Sequence, residues 1–336
     1  MTDIQVGWLA GVTIMTEKQI IRLDPTTKGR TNTLISHAHG DHTAGVGKDT
    51  EVYLTSETRN ILTSSRGRPL ETCRILRYGE EVAITDDVTV KTHNAGHILG
   101  SAQFEIESPE STIVYTGDLN CRDMLTTNAA EPIPCDTLIL ETTYGNPYYV
   151  FPSLGEVCTA IVNWILEKTH EGKIPVFRVY SVGKAQELIK LANEFTTIPV
   201  VTHPLISRVN DAYMKSGIEL TYLDEESREG EEALKVGQCA YIIPTSEETP
   251  VGERYSLAIA TGWALRNRTN SMDAAFPLSN HADFNQLLDY IEQAKPKQVY
   301  TVHGFKEDFI KHIRKRLHIK AQPIAPIAQT GLREYV

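Results

Sequence analysis

SHAHGDH, from Ser36 to His42, places three histidines and one aspartate within seven residues. Few structural roles ask for so many metal-binding side chains so close together. If the segment is extended, His37 and His39 point the same way and can reach one ion. Gly40 then allows a sharp turn, so that Asp41 and His42 face a second ion. Imidazole and carboxylate donors suit zinc and also accept manganese or iron. Structural zinc sites usually show cysteine pairs, and Cys73, Cys121, Cys135, Cys158 and Cys239 are scattered without any CxxC. Those cysteines fit buried thiols in a reducing cytoplasm.

Outward from this stretch, short apolar runs repeatedly end in polar residues. TNTLI leads into SHAHGDH, STIVY into Gly117–Asp118, DTLIL into Glu141, and KQVYTV into His303. This pattern predicts one layered α/β sheet with a site along its edge. Helical spacing joins Leu154, Val157, Cys158, Ile161 and Ile165, then Ala185, Leu188, Ile189 and Ala192, then Phe284, Leu287, Leu288 and Ile291. Ser153 and Asp283 stand where helix caps are expected. Between 146 and 275 the strand-to-ligand pattern stops, and it resumes at SNHAD, as an inserted domain would require.

The 336 residues are 41% hydrophobic and 23% charged, a globular composition. No apolar run approaches the roughly 18 residues of a membrane span. Asp3 and the glycines at 7 and 11 make the start read as a strand pair, not as a targeting segment. A net charge of −10 argues against a protein that coats nucleic acid. Basic groups at Arg59, Arg66, Arg68, Arg74 and Arg77, at Arg266 and Arg268, and at Lys311–Arg316 read first as solvated faces, as does the acidic stretch Asp224–Glu232.

His97, Asp118 and His303 are the further ligand candidates, each weak alone. Together, the order His-x-His-x-Asp-His, then His, then Asp resembles the metallo-β-lactamase superfamily, and the match covers both ends of the chain. The resemblance implies an α/β fold, an αββα sandwich, holding two zinc ions. One ion would take His37, His39 and His97, the other Asp41, His42 and His303, with Asp118 bridging. Asp24, ending IIRLD, matches the aspartate that supports such sites from behind the ligands.

ETTYG (Glu141–Gly145) resembles the acidic motif opening the β-CASP insert of nucleic-acid-processing members. SNHAD, with His281, and TVHG, with His303, resemble the two motifs that follow. The implied division is 1–145 for the first part of the lactamase-like domain, 146–275 for the insert, and 276–336 for the second part. YSVGKAQEL (Tyr180–Leu188) and the run from Thr261 to Phe284 resemble the bacterial DNA-ligase-associated exonucleases and their archaeal relatives, with Artemis-type nucleases more distant. Histidine at 303 occurs in RNA-processing members and in the ligase-associated group, so it does not separate DNA from RNA. The favoured expectation is a 5′-to-3′ DNA exonuclease in repair or processing, with DNA and repair proteins as partners. An RNA-processing exo- or endonuclease is the alternative. A small-molecule hydrolase explains SHAHGDH but not the insert, and a scaffold lacking activity does not explain a full ligand set.

In this reading Asp41 and Asp118 serve catalysis through the metals, His281 protonates the leaving oxygen, and Glu141 orients His281. Ser181 and Lys184, before a helical run, and Ser279 are candidates for holding phosphate. A plain helix cap by Ser181 is the competing reading, and Arg208, Arg266 and Arg268 could line the same cleft. His93, His170, His203, His312 and His318 match no motif.

Overall fold

Short apolar runs separated by turn residues become strands here, and the longer runs of helical period become helices. The computed structural model describes residues 4–16, 19–29, 31–47, 50–67, 69–70, 72–266 and 271–327. Asp3, Arg68 and Arg268, named above, lie outside the described residues.

The first sheet runs in the order β1 (Gln5–Trp8), β2 (Val12–Met15), β3 (Ile20–Leu23), β4 (Asn32–Leu34), β5 (Val52–Thr55) and β6 (Cys73–Leu76). Its first three strands form an antiparallel meander, and pairing from β3 to β6 is parallel. The second sheet starts with antiparallel β7 (Glu81–Thr85), β8 (Val88–Asn94), β9 (Ala102–Glu107) and β10 (Thr112–Tyr115). It continues in parallel through β11 (Thr137–Glu141) to two strands from the far end of the chain, β18 (Gln298–Val302) and β19 (Lys320–Pro323).

Apolar side chains of the two sheets face each other, Ile14, Leu23, Leu34 and Tyr53 against Val90, Phe104, Tyr115 and Ile139. Outside the first sheet lies α1 (Ser56–Arg66), and outside the second lie α6 (Phe284–Ala294) and α7 (Lys306–His312). The layers are therefore αββα. The single sheet expected from the strand ends is corrected to two, because alternation along a strand says which face is buried but not which strand pairs with it. The opening hairpin, β1 with β2, forms as read. Among the described residues no helix is long and apolar enough to cross a membrane.

Between the two ends stands a third sheet, parallel throughout. It is ordered β14 (Leu223–Asp224), β13 (Val200–Thr202), β15 (Ala240–Pro244), β12 (Ile174–Val179), β16 (Tyr255–Ala260) and β17 (Ala274–Phe276). Parallel sheets need cover on both faces. Here α2 (Leu154–His170), α3 (Lys184–Phe195), α4 (Pro204–Lys215) and α5 (Arg228–Val236) supply it. A capping box of Ser153 and Glu156 starts α2, and one of Asp283 and Gln286 starts α6. Each cap is worth about 1 kcal/mol.

One apolar core crosses from the sandwich to this third layer. Ile35, Leu54, Ile61 and Ile98 join Val179, Ala185, Leu188, Val209 and Tyr213 in it. Glu187 of α3 adds polar anchors, accepting from the backbone N–H of Leu125 at 3.0 Å and of Thr126 at 2.9 Å. The cleft between the layers is thus set by packed side chains.

Candidate metal centre and active site

The strand ends converge on one cavity of about 350 Å³, lined among others by His39, Asp41, His42, His97, Asp118, Lys184, Ser279, His281 and His303. Sheet register explains part of this: Glu141 at the end of β11 pairs with Val302 of β18, so His303 emerges beside it. Gly117 takes a left-handed φ of 55°, and a Cβ there would lie 2.6 Å from that of Ser36. Only glycine lets the chain fold Asp118 back over SHAHGDH. Gly40 does not play the part expected of it. Its φ is not positive and an added Cβ would meet nothing within 4 Å. The turn is instead helical in type, closed by His42 N–H to His39 O at 3.2 Å and Thr43 N–H to Gly40 O at 3.3 Å.

Hydrogen bonds fix which nitrogens face inward. His39 Nε2 lies 3.2 Å from Val182 O, and His97 Nδ1 lies 2.9 Å from Asn280 O. A carbonyl only accepts, so each of these nitrogens carries a proton. Ser36 Oγ donates to Asp24 and therefore accepts from His37 Nδ1 at 2.9 Å. The other nitrogens, His37 Nε2, His39 Nδ1 and His97 Nε2, then turn lone pairs on one another at 3.0 and 3.1 Å. Burial, together with the neighbouring His42 for one and His281 for the other, holds His37 and His97 well below the usual imidazole range. Converging neutral lone pairs repel unless a cation lies among them, and this donor set fits a metal ion.

Asp118 Oδ2 stands 3.5 Å from His37 Nε2, 3.7 Å from His97 Nε2 and 3.4 Å from His42 Nε2. It thus reaches both halves of the cluster. The ligand atoms of His37, His39, His97 and Asp118 lie within 4.8 Å of one another, as do those of His42, Asp118 and His303. Asp41 falls outside both groups: its carboxylate is 3.6 Å from His42 Nε2, on a side chain 79% exposed.

Asp24 sits behind the cluster. Its carboxylate accepts from Ser36 N–H at 2.7 Å, His42 Nδ1 at 2.7 Å and Tyr115 Oη at 2.9 Å, besides Ser36 Oγ. One buried group therefore holds His42 directly and His37 through Ser36. Asp24 and His303 both adopt left-handed backbone, with φ of 46° and 57°. Such conformations cost on the order of 1–3 kcal/mol and persist where surrounding structure enforces them.

Glu141 is fully buried and accepts from Leu119 N–H at 2.7 Å, Thr143 N–H at 3.2 Å and His281 Nδ1 at 2.9 Å. With Nδ1 committed, Nε2 is the His281 nitrogen left for the cavity. Burial alone would lower the His281 pKa, but the Glu141 and Asp118 carboxylates outweigh it and raise it.

The three phosphate candidates are placed differently from the expectation. Gly183, not Ser181, caps α3, and Ser181 faces a neighbouring cavity. Lys184 lines the metal cavity, but its Nζ donates to Leu278 O at 2.7 Å and to Asn280 Oδ1. Burial pushes this lysine down to about 7, against the pull of Glu187. Ser279 Oγ accepts from His281 N–H at 3.0 Å and lies 3.1 Å from His281 O, so it shapes the loop. Arg266 stacks on Tyr148 at 4.4 Å, and Arg208 is an exposed residue of α4 lining neither cavity. Missed altogether were the carbonyls of Val182 and Asn280, which no residue type signals, and Tyr180, an aromatic beside the chosen Ser181.

Residues 274–323 match the family described as the Zn-dependent metallo-hydrolase RNA specificity domain. A probable DNA ligase of Opitutus terrae is 34% identical over 290 residues, 84% of this chain and 28% of the ligase. The 5′ exonuclease Apollo of Gallus gallus is 26% identical over 279 residues, 80% of this chain and 57% of Apollo. The chain therefore spans only part of each relative. A crystal structure of an Enterococcus faecalis protein of unknown function superposes with a TM-score of 0.67 at 15% identity, over 96% of this chain and 98% of the other.

Proposed function

The chain belongs to the β-CASP group of the metallo-β-lactamase family, and from that membership we propose that it is a metal-dependent nuclease, a 5′-to-3′ exonuclease acting on DNA. The observation that carries this reading is the Glu141–His281 pair, built against Asp118 at the edge of the histidine cluster. Hydrolysis of a thioester does not call for it, because a thiolate departs without a proton. A phosphodiester does, because its departing alkoxide needs a proton.

His37, His39 and His97 would hold one ion, His42, His303 and Asp41 the other, and Asp118 would touch both. Zinc is the favoured metal, and the same donors accept manganese or iron. Such ions supply Lewis acidity towards the phosphoryl oxygens and acidify a water molecule. The chain's own part is positional. His281 holds a proton at Nε2 for the leaving oxygen. Glu141 fixes the ring and, as a carboxylate, favours the protonated form. Lys184 and Ser279 keep the 278–281 loop, and with it His281 and the acceptor for His97, in place.

DNA is favoured because the DNA ligase and exonuclease relatives align over at least 80% of this chain. Those relatives also support DNA-repair proteins as partners. The RNA alternative is supported by the matched description at 274–323. We divide the chain at 145 and 275, with the third sheet as the insert, and place it in the cytoplasm on the strength of its unpaired cysteines. Cleavage of end-labelled single- and double-stranded DNA and RNA with zinc or manganese tests the proposal. Mononucleotides released from the 5′ end of DNA are expected. Internal cuts, or RNA cleaved in preference, would move the assignment to the alternative, and no cleavage of either polymer would overturn it.

A further inference from the structure

The first turn of α3 carries three buried polar side chains, Lys184, Gln186 and Glu187. Buried polar groups need partners. Glu187 finds its own in the 125–126 loop. Gln186, with no exposed surface, accepts from Gly183 N–H through Oε1 at 2.7 Å. Its Nε2 donates to Ser181 O at 3.0 Å and to Asn210 Oδ1 at 2.8 Å. Gly183 N–H and Val182 C=O belong to one trans peptide, so they point in opposite directions. Gln186 therefore grips one edge of this peptide while the other edge meets His39 Nε2 at 3.2 Å. Gly183 permits the arrangement: its φ is 86°, and a Cβ there would collide with Ile98, next to His97. From the same turn Lys184 donates to Leu278 O and to Asn280 Oδ1, and Asn280 O faces His97 Nδ1 at 2.9 Å.

We propose that Gln186 and Lys184 are positioning residues for the ion of His37, His39 and His97: Gln186 fixes His39 through the Val182–Gly183 peptide, and Lys184 fixes His97 through Asn280. The inference rests on the two-ion reading and deepens it. His37 is held from within the sandwich, by Ser36, so a single turn of the third layer orients the other two ligands. An imidazole left free to turn or to change tautomer presents the wrong nitrogen part of the time, and metal affinity falls. His42 is anchored instead by Asp24. The effect of this turn therefore falls on one ion and not on the other.

The test titrates zinc into the metal-free wild type, Gln186→Leu and Lys184→Met against a chelating indicator. Nitrogen NMR of the His39 ring is recorded before metal is added. Wild type should show the proton on Nε2. Gln186→Leu should mix the two tautomers and weaken one binding step about 10–100-fold, leaving the other unchanged. For Lys184→Met the sign decides. Removing an ammonium that acts only as a charge would tighten the binding of a nearby cation. Positioning predicts that the same single step weakens, and this variant carries the test if Gln186→Leu does not fold. A single His39 tautomer with wild-type affinity in Gln186→Leu, equal weakening of both steps, or tighter binding by Lys184→Met would overturn the inference. Wild type that takes up no zinc would instead remove the two-ion reading, and the His39 tautomers would still decide whether Gln186 sets the ring.

Discussion

The two halves of the ligand cluster are held very differently. His37, His39 and His97 are each fixed at the far nitrogen, by Ser36, Val182 and Asn280, and His37 and His97 are buried. In the other half, among the described residues, only His42 has such an anchor, in Asp24. His303 is partly exposed on strained backbone, and Asp41 projects into solvent. Preorganised ligands lose little freedom on binding, whereas Asp41 must give up a free side chain. If each half took an ion, as proposed, the first would be held tightly and the second would exchange.

The largest effects should come where the halves meet. Asp118→Asn is expected to lower both metal content and cleavage, by about a thousandfold or more for cleavage; metal analysis showing two retained ions would break the bridging assignment. His281→Ala should lose about 10²–10⁴-fold in kcat with metal content unchanged. Loss of metal in that variant would mean that His281 is a ligand and not an acid. Next, Asp24→Ala should weaken metal binding about 10–100-fold, and in both halves, because its carboxylate supports His37 as well as His42. Titration with a chelating indicator reads this; weakening confined to one ion would break the shared-anchor account.

Asp41→Ala sharpens the comparison. It should weaken only the exchangeable ion, so that activity returns at higher metal concentration; a variant that excess metal fails to restore would put Asp41 in a different role. The smallest effect concerns pH. Glu141 raises the His281 pKa, so kcat should fall as pH rises through that raised value. Glu141→Gln removes the charge, lowers the pKa and moves the alkaline fall to lower pH. An unmoved limb would assign the titration to another group.

The ligand motif, the helix starts at Ser153 and Asp283 and the αββα resemblance were legible because each rests on local chemistry: donor types at short spacing, capping side chains, apolar period. Gly40 was misjudged because glycine permits a left-handed turn without requiring one. For Ser181 and Ser279 residue type alone does not separate the roles, because a hydroxyl near a helix start or a loop satisfies backbone as readily as phosphate.

By itself, then, the sequence determined the kinds of donor side chain and the family whose chemistry they serve, since those follow from residue identity and order. Tertiary structure alone decided that Asp24 anchors both halves, that Asp41 stands apart, and that Lys184 is spent on Leu278 and Asn280. Those facts depend on contacts between segments tens to more than a hundred residues apart, several of them through backbone carbonyls that every residue carries.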